Sequence, residues 1–102
     1  MSFNKKELIE NFKNNNYSFC IEMLSSKIID TLVAEIRKQN PNYKYVNISN
    51  LKKNCFKYLN DSNKVIALQL YDFMYNEDYS EAFILDNLLS MYETLYSENI
   101  YA

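Results

Sequence analysis

Asp72, Glu77, Asp78 and Glu81 put four carboxylates into the thirteen residues YDFMYNEDYSEAF, Tyr71 to Phe83, where Tyr71, Tyr75 and Tyr79 are interleaved with them. Three chemistries use such a set. Closely spaced carboxylates hold a hard cation such as Mg²⁺ or Ca²⁺ through oxygen; Glu77, Asp78 and Glu81 are the candidates, without the glycine-containing loop of an EF-hand. Two carboxylates in one pocket divide acid and base roles; Asp72 and Asp86 would do so from adjacent helices, but nothing in the sequence points to a pocket. Acidic and tyrosine side chains together make a docking face for a basic protein, since tyrosine supplies large amphipathic contact area and acidic clusters speed association with basic targets. The residues expected to form that face are Tyr71, Asp72, Tyr75, Glu77, Asp78, Tyr79, Asp86 and Glu93, with Tyr92, Tyr96 and Tyr101 adding area.

A second set has the opposite sign. RKQNPNYKY and LKKNCFKYL interleave Arg37, Lys38, Lys44, Lys52, Lys53 and Lys57 with Tyr43, Tyr45 and Tyr58. Lysines neutralise phosphates, and exposed tyrosines stack on unpaired bases. A pI near 5.1 argues against a nucleic-acid-binding domain, which is usually basic, so this reading comes second.

What the chain lacks narrows the rest. It has no His, no Gly and no Trp among its 102 residues. Without His, the commonest general acid/base and metal ligand is missing. Without Gly, phosphate-cradling loops of P-loop or Rossmann type cannot be built in the usual way. Two cysteines and no histidine do not make a four-ligand zinc site. No enzyme, cofactor or metal is expected. Cys20 and Cys55 each sit among apolar neighbours in helical patterns and read as buried reduced thiols. No apolar run approaches the roughly 20 residues of a membrane span, and MSFNKKELIE has no signal-peptide h-region. The expectation is one cytoplasmic helical domain over residues 1–102, with no membrane association.

The elements that position these side chains are all helical in pattern. Asn4 caps a short first helix carrying Leu8, Ile9 and Phe12, with Glu7 at the capping-box position. Asn14, Asn15 and Asn16 interrupt it. A long second helix, from about Tyr17 to Gln39, repeats Tyr17, Cys20, Ile21, Leu24, Ile28 and Leu32 at three- and four-residue spacing. It ends at Asn40-Pro41, because the residue before proline avoids the helical region. The third helix, capped by Asn47 or Ser49, carries Ile48, Leu51, Cys55 and Leu59 with Phe56 beside them. A fourth runs from about Asn63 to Tyr75 and buries Ile66, Leu70, Phe73 and Met74. Asp78 caps a fifth, with Glu81 as its capping-box partner, which continues to about Ser97 on a seam of Leu85, Leu88, Tyr92 and Leu95. These add up to an all-α fold, a compact antiparallel bundle of four main helices plus a short N-terminal one.

Charge divides along the chain. Residues 1–60 hold ten basic and five acidic side chains, net +5, while residues 61–102 hold Lys64 and eight acids, net −7. A mixed surface does not segregate in this way. Either the halves neutralise each other within the bundle, or one of them is a binding surface.

The layout also resembles the HEPN helical-bundle family. The resemblance lies in the long helix CIEMLSSKIIDTLVAEI, a linker, NISNLKKNCFKYL, and two helices joined at NEDYSEAFILDNLLSMYETL; it covers about Tyr17 to Ser97. It implies dimers and toxin–antitoxin partnerships, or RNA cleavage by an Arg followed four to six residues later by His. LQLYDFMYNED stands where that motif belongs, the only Arg is Arg37, and there is no His, so the resemblance implies a binding-only relative. The leading expectation is therefore a non-enzymatic module of inhibitor, antitoxin or immunity type. It would take a basic protein partner on its acidic tyrosine face and be able to self-associate through it. The runner-up is an inactive HEPN-like protein that binds RNA or a toxin through the lysine-rich side.

Overall fold

The structure, a computed structural model, describes residues 3–100; Tyr101, counted above with the tyrosines, lies outside them. The all-α class is the one observed: five α-helices and no strand among the described residues. They are α1 (Lys5–Lys13), α2 (Tyr17–Gln39), α3 (Ile48–Tyr58), α4 (Asp61–Tyr75) and α5 (Glu81–Tyr96). No helix among the described residues is long and apolar enough to cross a membrane. The chain forms two compact units, one of Met1–Ile28 with Asp78–Ala102, the other of Ile29–Glu77.

Side-chain caps set most helix starts. Asn4 accepts from the Glu7 amide, Asn47 from Asn50, Asn60 from Asn63 and Ser80 from Phe83. Each such cap satisfies one orphan amide and stabilises by about 1 kcal/mol. Two boundaries differ from the sequence reading. α4 begins at Asp61, since Asn60 both ends the two-residue link from α3 and caps the next helix. α5 is capped by Ser80 rather than Asp78, with Glu81 as its first residue. Serine is as good a cap as aspartate, and the shorter, neutral side chain sits one residue before the helix.

Helix ends must be made without glycine. Asn15 takes the left-handed conformation, φ 62°, directly after the Asn14 cap of α1. Its amide donates to the Phe12 carbonyl at 3.1 Å, and the Asn16 amide donates to the Asn11 carbonyl at 2.9 Å. That pair of bonds is a Schellman motif with Asn in the position glycine usually takes. Ser97, φ 50°, closes α5 in the same conformation.

In the first unit, α1 folds back antiparallel on the start of α2. Leu8 accepts from the Cys20 thiol, and Phe12 packs on Tyr17 at 5.7 Å between ring centroids. Along α5, Ser18 donates to Glu81 at 2.5 Å, while Lys27 lies 5.3 Å from the Tyr96 ring centroid. Both pairs advance together, so this part of α2 and α5 run in the same direction. Lys5 pairs with Glu98, and Phe3 stacks on Tyr92 at 5.4 Å. Leu8, Cys20, Leu24, Ile28, Leu85, Leu88 and Tyr92 are buried. Tyr92 is thus a core residue and adds no external contact area.

In the second unit, α3 packs on α4. The buried residues include Ile29, Leu32, Val33 and Ile36 from α2, Ile48, Leu51 and Cys55 from α3, Leu59 from the link, and Ile66, Ala67 and Leu70 from α4. Tyr43 is buried in the loop before α3, its hydroxyl bonded to Asn50 at 2.7 Å. Met74, expected inside, is 47% exposed, and small Ala67 takes a core position one turn from Leu70 instead.

The Asn15 turn yields a stability prediction. Asn15→Ala should cost about 1 kcal/mol, because alanine bears the full left-handed penalty. Asn15→Gly should be neutral or stabilising. Urea melts of both variants check this; equal stabilities would contradict the turn geometry.

Candidate functional site

The acidic, tyrosine-rich residues are divided between the two units. Tyr71, Asp72, Tyr75 and Glu77 belong to the second unit; Asp78, Tyr79, Asp86 and Glu93 belong to the first.

In the second unit, both tyrosines meet side chains of α3, Tyr71 a lysine and Tyr75 a serine. Ser49, Lys52 and Phe56 share a face of α3, and Lys64, Leu68, Tyr71 and Tyr75 share a face of α4, because residues three and four apart are neighbours on a helix. The link of Leu59 and Asn60 turns α4 back along α3, so the two rows meet antiparallel. The Ser49 hydroxyl lies 3.1 Å from that of Tyr75. The Lys52 ammonium sits over the Tyr71 ring, 3.9 Å from its centroid. Lys64 lies 5.9 Å from the Phe56 centroid. Tyr71 and Tyr75 pack on each other at 4.7 Å. A cation over an aromatic face is attracted by the ring quadrupole, by about 1 kcal/mol at a half-buried site.

Tyr45 stands at the same end as Tyr75. Burial raises its pKa above the ordinary 10.0, and the nearby Tyr75 hydroxyl adds to the effect. Cys55 lies beneath the seam: burial pushes its thiol up from 9.0, against a smaller opposite pull from Lys64 and Lys52.

The six expected basic residues divide by environment. Arg37 donates through Nε to the Tyr43 carbonyl at 3.0 Å and so fastens the loop after α2. Lys38 pairs with Glu35 at 2.7 Å. Lys57 lies 5.4 Å from the Tyr58 ring centroid. Lys44 and Lys53 are exposed, and Lys52 is the one on the seam. Asp72 is exposed beside the seam and Glu77 follows the end of α4. Tyr43, expected to stack on bases, is enclosed by its own unit.

In the first unit, Tyr79 and Phe83 stack at 5.1 Å with 14° between their planes at the start of α5, Phe83 being 47% exposed. Ala82, Asp86, Ser90 and Glu93 continue an exposed stripe along the helix. α5 contains no Lys or Arg. Glu81, by contrast, is engaged by the Ser18 hydroxyl.

Among the described residues no three of His, Cys, Asp and Glu come together as a group that could hold a metal ion, so Glu77, Asp78 and Glu81 do not form the cation site their spacing allowed. Both cysteines are free and buried, as their apolar neighbours implied. Burial raises the Cys20 thiol as well, which disfavours the nucleophilic thiolate.

Comparison with known proteins gives no match: no family model fits the chain, and no curated protein or solved structure is significantly similar to it.

The seam residues that the sequence reading placed apart, Lys52 and Tyr71 above all, were within reach of it. A two-residue link between two amphipathic helices forces antiparallel neighbours, and counting outward from Leu59–Asn60 brings position 52 opposite 67, one helical turn from 71.

The raised thiols and tyrosines predict how stability depends on pH. Cys20, Cys55, Tyr43, Tyr45 and Tyr92 all hold their protons more tightly folded than unfolded. Their contribution is complete below the unfolded values of 9.0 and 10.0 and is lost as pH rises past them. With no histidine to titrate near neutrality, urea midpoints should be level from about pH 6 to 8 and fall above about pH 9. A midpoint that stays level to about pH 10.5 would contradict the burial of these groups.

Proposed function

We propose that this chain is a binding protein whose acidic α5 face takes a basic protein partner, in the manner of a small inhibitor, antitoxin or immunity protein. One observation carries the reading. The stacked, partly exposed Tyr79–Phe83 pair heads a helix whose exposed charged side chains, Glu81, Asp86 and Glu93, are all acidic. Aromatic side chains at the centre of an interface supply most of the binding energy, and charges around them set on-rate and partner choice. Every charged residue from Asp78 onward is acidic. A HEPN-like origin would fit a chain without the Arg–His pair, since Arg37 is spent on the Tyr43 carbonyl; it assigns no residue a role here.

The experiment is affinity capture from a lysate of the source cells, with and without nuclease, using the wild type and an Asp86→Lys, Glu93→Lys variant of equal thermal stability. A basic protein should be retained by the wild type under nuclease and reduced at least tenfold in the variant, since each charge reversal places like charges against the partner. Retention that is unchanged by both substitutions would remove the α5 face from consideration.

A further inference from the structure

Among the described residues, six of the seven large hydrophobic side chains that are exposed, Tyr45, Val46, Phe56, Val65, Met74 and Tyr75, lie in the second unit. The same unit contains the segment from Lys38 to Asn60, which has five basic residues and no acid. Exposed apolar surface and a run of positive charge therefore fall in the same unit, and the α3–α4 seam shows how they are arranged. Phe56 is 59% exposed at one end and Tyr75 58% exposed at the other. Lys52 lies between them, held over Tyr71. Seven residues of α3 separate Ser49, which touches Tyr75, from Phe56, so the two rings stand roughly 10 Å apart along the seam.

We propose that the α3–α4 seam is a second binding surface, for single-stranded nucleic acid, with Phe56 and Tyr75 as stacking platforms and Lys52, Lys53 and Lys64 as phosphate contacts. Flat, exposed rings separated by a cation match a strand that presents bases and phosphates in alternation. A duplex hides its base faces and would leave the rings unused. An acidic peptide would satisfy the lysines but has no flat face for each ring. Tyr71 has a different part: Lys52 occupies its ring face, so it holds the lysine at the seam and does not itself stack. The surface uses residues of α3 and α4 alone and does not depend on the protein partner proposed above.

The test is fluorescence anisotropy with a labelled oligouridylate of about eight nucleotides, inside the range one small domain engages. Three phosphate contacts predict a slope of log K against log salt of about −2, or about fifteenfold weaker binding at about 200 mM than at about 50 mM salt. An abasic strand of equal length should bind about tenfold more weakly, because base stacking is lost. Phe56→Ala and Tyr75→Ala should each weaken binding, while Tyr75→Phe, which keeps the ring, should not. Asp86→Lys with Glu93→Lys should not weaken it either. The Ala substitutions fall on exposed side chains, and the abasic strand tests stacking without any variant. No binding at about 50 mM salt overturns the proposal. So does equal affinity for the abasic strand, or equally effective competition by polyglutamate at matched charge, since either would show attraction to any polyanion.

Discussion

The register of α3 against α4 decides which side chains of this protein can act together. A two-residue link allows the second helix only to fold back beside the first, and the buried rows Ile48, Leu51, Cys55 and Ile66, Ala67, Leu70 fix the faces that meet. Everything on the outer edge of that contact follows: Ser49 beside Tyr75, Lys52 on Tyr71, Phe56 near Lys64. Shifting either helix by one residue would turn its row by about 100° and break all three pairs at once. The contacts that Tyr71 and Tyr75 make with α3 follow from this packing, not from their neighbours in sequence.

Charge segregation along the chain thus becomes segregation by unit in a changed form. Lys64, Asp72 and Glu77 stay with the lysines of α3, while α5 keeps only acids. Lys5 pairs with Glu98 in the first unit, and Lys38 with Glu35 and Lys64 with Asp61 in the second. Exposed pairs of this kind contribute about 0–1 kcal/mol each, too little to explain the polarity as a device for stability.

Much of the fold was legible in sequence because helical periodicity is strong where one face is buried. Cys20, Leu24, Ile28 and Leu32 recur as expected and are fully enclosed. Asn4 and the Asn40-Pro41 stop were also readable, since their effects are local. The errors have local causes as well. Asp78 and Ser80 are both good caps two residues apart, and propensity does not choose between them. Met74 and Ala67 exchange places because periodicity identifies a face but not which side chain the neighbouring helix leaves room for. The candidate site was less legible. Tyr71 and Tyr75 looked acidic in company with Asp72 and Glu77, whereas their contacts come from α3, some twenty residues earlier. Tyr43 looked like an exposed platform beside Lys44 but is held inside by Asn50.

The most direct check on this account is a double-mutant cycle between Lys52 and Tyr71, using Lys52→Gln, Tyr71→Leu and the double variant in urea unfolding. If the ammonium rests on the ring, the two positions should couple by about 1 kcal/mol, as a half-buried cation–π pair does. Effects that add to within about 0.3 kcal/mol would mean that the two side chains do not meet, and would return Tyr71 and Tyr75 to the acidic surface.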